Sequence, residues 1–125
     1  MDTRWFAALN ENRSGLLVVS ADDQGLCFSA LHMENEDFDM TDGWEYNGAN
    51  RSKHTFDIVE KDLVQLNIDL GQRGLGGDDS WWALPQEEYL FRGNKEHHYS
   101  FYLVPVESVD EGQLIDLAKS IRFTE

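Results

Sequence analysis

Between Val64 and Leu70, apolar side chains alternate with polar ones: Val64, Leu66, Ile68 and Leu70 against Gln65, Asn67 and Asp69. A two-residue period puts the first set on one face of an extended chain and the second on the other, so this segment reads as a half-buried β-strand. It runs through Gly71-Gln72-Arg73 into Gly74-Leu75-Gly76-Gly77-Asp78-Asp79-Ser80-Trp81-Trp82. Three glycines in four positions point to a backbone that needs positive φ or close approach of other atoms. Two carboxylates, a hydroxyl and two of the four tryptophans follow. A permissive loop ending in two large rings is suited to presenting an aromatic face at a fixed place, and the remaining elements read as its frame.

Those elements are mostly strands. Arg4 to Leu9 is short and aromatic, and Leu16 to Ser20 is apolar on both faces, as a buried strand requires. Ala21 to Gly25 turns the chain into a third strand, Leu26 to Met33, which is expected to form a hairpin with the second. Glu34 to Ser52 is an acidic surface excursion, in which Asn50-Arg51-Ser52 fits a glycosylation sequon of little weight. Thr55 to Val59 and Tyr89 to Phe91 read as short strands, and His98 to Val106 as a long aromatic strand at the centre of the sheet. Strands at short spacing, with turn chemistry between them, predict an all-β antiparallel sandwich. The pattern changes at Ser108-Val109-Asp110-Glu111, a capping box, after which Leu114, Ile115, Leu117, Ala118 and Ile121 share one helical face. The expected organisation is a single domain over 1–125, with the sandwich in 1–106 and a helical tail in 107–125.

Composition narrows the function classes. A chain of 125 residues with 15 aromatics can fold around a core of its own. The formal charge of −14 argues against nucleic acid or an anionic membrane as partner. One cysteine, Cys27, cannot form an intrachain disulfide, and as an apolar-strand residue it reads as a buried, inert thiol. Nothing reads as a signal peptide or a spanning helix. Because Trp5 and Phe6 follow the start so closely, the chain reads as a fragment of a longer protein.

The run Leu66-Asn67-Ile68-Asp69-Leu70-Gly71-Gln72-Arg73-Gly74-Leu75-Gly76-Gly77-Asp78-Asp79-Ser80-Trp81 resembles the C-terminal, small-chain domain of family-2 β-galactosidases. Thr3-Arg4-Trp5, Phe28-Ser29-Ala30 and Tyr99-Ser100-Phe101-Tyr102 agree in kind, and the likeness extends to about Val106. The resemblance implies an antiparallel supersandwich of the galactose mutarotase type, of which this chain would be the C-terminal part. It also implies that Trp81 reaches the active site of a separate catalytic barrel and stacks on the galactoside. Gly74, Gly76, Gly77, Asp78, Asp79 and Ser80 would then position the loop. The two catalytic glutamates belong to the barrel, so no residue of this chain is expected to be catalytic, and no metal or cofactor is carried over.

The residues can be weighed beside that implication. Asp78 and Asp79 are adjacent on a loop, where carboxylates point apart and accept backbone N–H groups; they are not the facing pair, about 5–5.5 Å apart, that retaining glycosidases use. His97 and His98 face opposite sides of an extended chain and cannot easily share an ion. The acidic excursion around Glu34, Glu36, Asp37 and Asp39 lacks the spacing of a calcium loop. Trp5, Trp44 and Trp82 take a core or interface reading. The expected function is an accessory part of a β-galactosidase acting on terminal β-D-galactosides such as lactose, inactive as an isolated fragment. A stand-alone carbohydrate-binding module and a structural interaction domain are the alternatives. An apolar face left open by truncation would be met by a second copy, as a homodimer, or by the tail helix.

Overall fold

The computed structural model describes residues 2–38, 56, 58–77, 79 and 82–122. Asp78, Ser80 and Trp81 lie outside this set, as do Trp44, His54 and the sequon. The fold is all-β, with strands in two sheets and one C-terminal helix. The chain forms two compact units, one from residues 1–27 and 69–125, the other from 28–68.

The first unit is built on three antiparallel strands in the order β1 (Trp5–Leu9), β2 (Gly15–Ser20), β5 (Phe101–Val106). Trp5 pairs with Val19 and Leu9 with Gly15, while Gly15 faces Val106 and Ser20 faces Phe101. The central strand is therefore β2, consistent with its apolar residues on both faces; Leu17, Val18 and Val19 are fully buried. The aromatic strand β5 lies at an edge, and its Tyr102 and Leu103 are exposed.

Helix α1 (Glu111–Arg122) covers one face of this sheet. Leu114 and Ala118 join Leu17 and Val19 in the core, with Trp5, Ala7, Leu9, Val104 and Val106 packed around them. The helix starts two residues later than the Ser108–Glu111 box predicts. Asp110 Oδ1 accepts the Gln113 N–H at 2.8 Å, and Gln113 Oε1 accepts the Asp110 N–H at 2.8 Å. Ser108 sits at φ 51° and so lacks the extended backbone of an N-cap. Its N–H donates to Ser14 Oγ at 3.0 Å, tying the helix entry to the β1–β2 turn.

The expected β2–β3 hairpin does not form. Gly25, at φ 77°, turns the chain so that Leu26 exchanges two backbone hydrogen bonds of 2.9 Å with Thr3. β3 (Cys27–Leu31) then pairs with β4 (Gln65–Asp69), the alternating strand. Ile58 and Val59 are not in a strand, and Glu87–Tyr89 is a 3-10 turn in place of the expected strand at Tyr89.

The second unit is pinned by polar groups. Asn67 donates to Ser29 Oγ and to Asn35 Oδ1, both at 3.2 Å, and accepts from Asn35 and Gln65. Lys61 bridges Glu34 at 2.5 Å and Asp37 at 2.7 Å. These two carboxylates, Asp37 foremost, hold the ammonium pKa above its ordinary value.

Candidate functional site

β4 leaves the sheet at Asp69 and enters the glycine limb, 70–77, which has no regular secondary structure. The chain then comes back along the same limb through residues 83–91. The Gly74 N–H donates to the Tyr89 carbonyl at 2.9 Å. A Cβ on Gly74 would meet Tyr89 and Pro85 side-chain carbons at 3.0 and 3.1 Å. A Cβ on Gly77 would lie 2.3 Å from the Leu84 carbonyl oxygen. At Gly77 the returning backbone thus passes too close for any side chain, whereas at Gly74 a side chain would press on the Tyr89 and Pro85 side chains. Neither has positive φ, so close approach is the requirement that applies. Gly76 differs, with its nearest neighbour, the Asp79 carbonyl oxygen, 4.0 Å from a built Cβ.

At the loop tip, Asp79 Oδ1 accepts the backbone N–H of Trp82 at 2.9 Å and of Ala83 at 3.0 Å. One carboxylate oxygen therefore fixes two successive backbone N–H groups, those of Trp82 and Ala83. The Trp82 ring is 84 % exposed, which excludes the core reading for it within this chain. Leu75 and Leu84 on the same loop are 97 % and 71 % exposed. Trp5, by contrast, packs against the core under α1.

The returning segment carries a charged pair. Arg92 pairs with both carboxylate oxygens of Glu87. The guanidinium holds the Glu87 carboxyl below its usual pKa, and the carboxylate raises that of Arg92. His97 Nε2 lies 3.0 Å from the Arg92 carbonyl, and its ring stands 5.2 Å from that of Phe91. His98 approaches Glu96 at 3.1 Å instead, so the two histidines serve different partners. Among the described residues no group of three or more His, Cys, Asp or Glu side chains could hold a metal ion. Cys27 is buried and free. Arg73 and Asn94 border the hollow beside the loop; Arg73 lies in the run that carries the resemblance, but neither reads as a site residue, because neither falls on a periodic face or is a residue type that marks a reactive centre.

A strand-framed loop with an Asp79-bonded backbone and an exposed Trp82 belongs to a domain of an antiparallel β protein. Comparison with known proteins places it more closely. Residues 1–103 match the family model described as the β-galactosidase small chain, and the chain belongs to that family. It is 27 % identical over 104 residues to a β-galactosidase of Streptococcus thermophilus, covering 83 % of this chain and 9 % of the relative. A β-galactosidase of Priestia megaterium is 25 % identical over 108 residues, 84 % of this chain and 9 % of its own. One from Pseudoalteromonas haloplanktis is 35 % identical over 60 residues, 48 % of this chain and 6 % of that protein. The chain thus spans less than a tenth of the length of these relatives. No solved structure gives a significant match.

Proposed function

We propose that this chain is the accessory sheet domain of a β-galactosidase that hydrolyses terminal β-D-galactosides such as lactose. In this reading it buttresses the catalytic barrel, and Trp81 supplies a stacking face for the sugar. The bond-breaking carboxylates are the barrel's, and the isolated chain has no hydrolytic activity. The observation that carries the reading is the closure of the loop. Asp79 accepts the N–H groups of Trp82 and Ala83, the Gly74 N–H bonds the Tyr89 carbonyl, and Gly77 lies close against Leu84, so the described backbone before and after position 81 is tied down. Rigid presentation is what a ring needs in order to orient a sugar without reorganisation cost.

The exposed Leu75, Trp82 and Leu84 support a second role for the same loop, as the surface that the barrel covers. On the sheet face away from α1, Leu16 and Leu103 are also exposed, and through them the isolated chain associates with a second copy. Sedimentation showing a strict monomer at all concentrations would remove that last element.

The test of the main reading is Trp81→Leu in the β-galactosidase that contains this chain, assayed on lactose and on an aryl galactoside. Loss of a stacked ring, worth about 0.5–1.5 kcal/mol beyond its area, predicts a fall in kcat/KM of roughly 2- to 12-fold. Unchanged kinetics on both substrates would exclude the role. Hydrolysis by the purified chain would exclude the accessory reading.

A further inference from the structure

Two arginines, Arg73 and Arg92, line one open hollow of about 410 Å³, together with Asn94 and the apolar Leu84, Leu90 and Phe91. Among the described residues no carboxylate lines it, in a chain with 24 carboxylates to 10 arginines and lysines. Small-molecule sites occupy about 300–1,000 Å³, so this hollow is of ligand size. We propose that it is an anion site that takes a small monocarboxylic acid. Arg73 and Arg92 hold the carboxylate, the Asn94 amide donates to it, and Leu84 and Phe91 meet the hydrocarbon body of the acid. Such a site needs neither Trp81 nor a galactoside, and so goes beyond the reading above.

Three features carry it. The first is a set of unspent donors. Neither Arg73 nor the Asn94 side chain makes a hydrogen bond or ion pair among the described residues. Arg92 commits only Nη2 to Glu87, which leaves the N–H groups of its Nε and Nη1 for another acceptor. A guanidinium donates and never accepts, and a carboxylate answers two of its N–H groups in parallel. The second is the local charge. Arg73 and Arg92 are both cationic and Glu87 cancels one of them, so a single positive charge is left for the ligand. A monoanion matches that charge, and a phosphate dianion overshoots it. The net charge of −14 opposes any anion from a distance, but at physiological salt exposed charges beyond about 8 Å are screened, and the lining decides. The third is the wall. Leu84 and Phe91 are exposed, so apolar surface stands open beside the cations. An inorganic anion leaves that surface in water, whereas an acid with a hydrocarbon body covers it.

The experiment is an NMR titration of the isotopically labelled 125-residue chain with benzoate, phosphate and the neutral benzamide in parallel. Benzoate should shift the Arg73 Nε–H, the Asn94 side-chain amide and the Phe91 ring, saturating in the millimolar range, while phosphate and benzamide do not saturate. Arg73→Met should weaken benzoate binding about tenfold, the loss of a charged hydrogen-bond donor. Lys119→Met on α1 removes the same charge elsewhere and should leave binding unchanged. Glu87→Gln should tighten it about two- to fivefold by releasing Arg92 from an exposed pair. Benzamide shifts that match those of benzoate, saturation by phosphate ahead of benzoate, equal losses in Arg73→Met and Lys119→Met, or no saturation by benzoate would each overturn the site. Phenylglyoxal labelling of Arg73, read by mass spectrometry in the β-galactosidase that contains this chain, identifies the source of the carboxylate. Benzoate should slow the labelling there. An Arg73 already unreactive without benzoate would assign the hollow to a group of the covering part and overturn the small-acid site.

Discussion

Gly76 and Gly77 are neighbours in the chain, yet the structure asks different things of them. A methyl group on Gly77 would occupy the space of the Leu84 carbonyl, whereas one on Gly76 meets nothing closer than 4.0 Å. Gly77→Ala is therefore expected to destabilise the isolated chain by about 1–3 kcal/mol, as overpacking does. Gly76→Ala should stay within about 0.5 kcal/mol of the parent. Denaturant unfolding of both variants checks this, and equal effects would contradict the close-approach argument. Sequence alone cannot rank the two glycines, because the atom that decides lies seven residues away along the returning limb. Asp79 is the complementary case, since an Asp after glycines already suggests a carboxylate that accepts backbone N–H groups. Asp79→Ala removes the acceptor for Trp82 and Ala83. Amide exchange at those two positions should accelerate about tenfold, with the sheet amides unchanged.

At the level of elements, the strands with a strong local period are the ones that sequence reveals. The alternation around β4 and the doubly apolar run of β2 each correspond to an observed strand, and the 3.6-residue spacing of Leu114, Ala118 and Ile121 to α1. Partnering is not local, and there the expectations diverge. The aromatic richness of β5 suggests a central place, but among the described strands β2 is the one paired on both sides, and it takes the centre. The helix start diverges for a related reason. Ser108–Glu111 and Asp110–Gln113 both fit a capping box, and long-range bonds from Ser108 and Val109 to Ser14 and Arg13 remove the first from competition. Asp110→Ala is expected to cost about 0.5–2 kcal/mol, against a smaller change for Ser108→Ala, measured by thermal unfolding. The turn at 87–92 has a pH signature. Glu87 is held below its ordinary value of 4.5 by Arg92, so the pair's contribution is present above pH 4.5 and is lost as pH falls through the lowered value. Carbon-detected titration of the Glu87 carboxylate should give a midpoint under 4.5 that rises in Arg92→Met. A parent midpoint at or above 4.5 would show that the pair does not persist in solution.

For the whole molecule, the relation between the family match and the core is the informative one. The match ends at residue 103, yet two of the four buried residues of the main core cluster, Leu114 and Ala118, belong to α1 beyond it. The helix is thus part of the folded unit and not an appendage. Its removal would uncover Leu17 and Val19, which are fully buried, together with the flanking Trp5, Ala7, Leu9, Val104 and Val106. A domain of this size retains only about 0.05–0.15 kcal/mol per residue of net stability. Leu114→Ala alone is expected to take about 2–5 kcal/mol of that, because the buried side chain leaves a cavity against β2. Leu103→Ala, on the exposed edge strand, should cost less than about 0.5 kcal/mol. A chain ending at Glu107 should therefore lose its cooperative transition and bind a hydrophobic dye while keeping β-sheet circular dichroism. If that shortened chain unfolds cooperatively within a few degrees of the full one, some other contact covers the sheet, and α1 does not hold the core together.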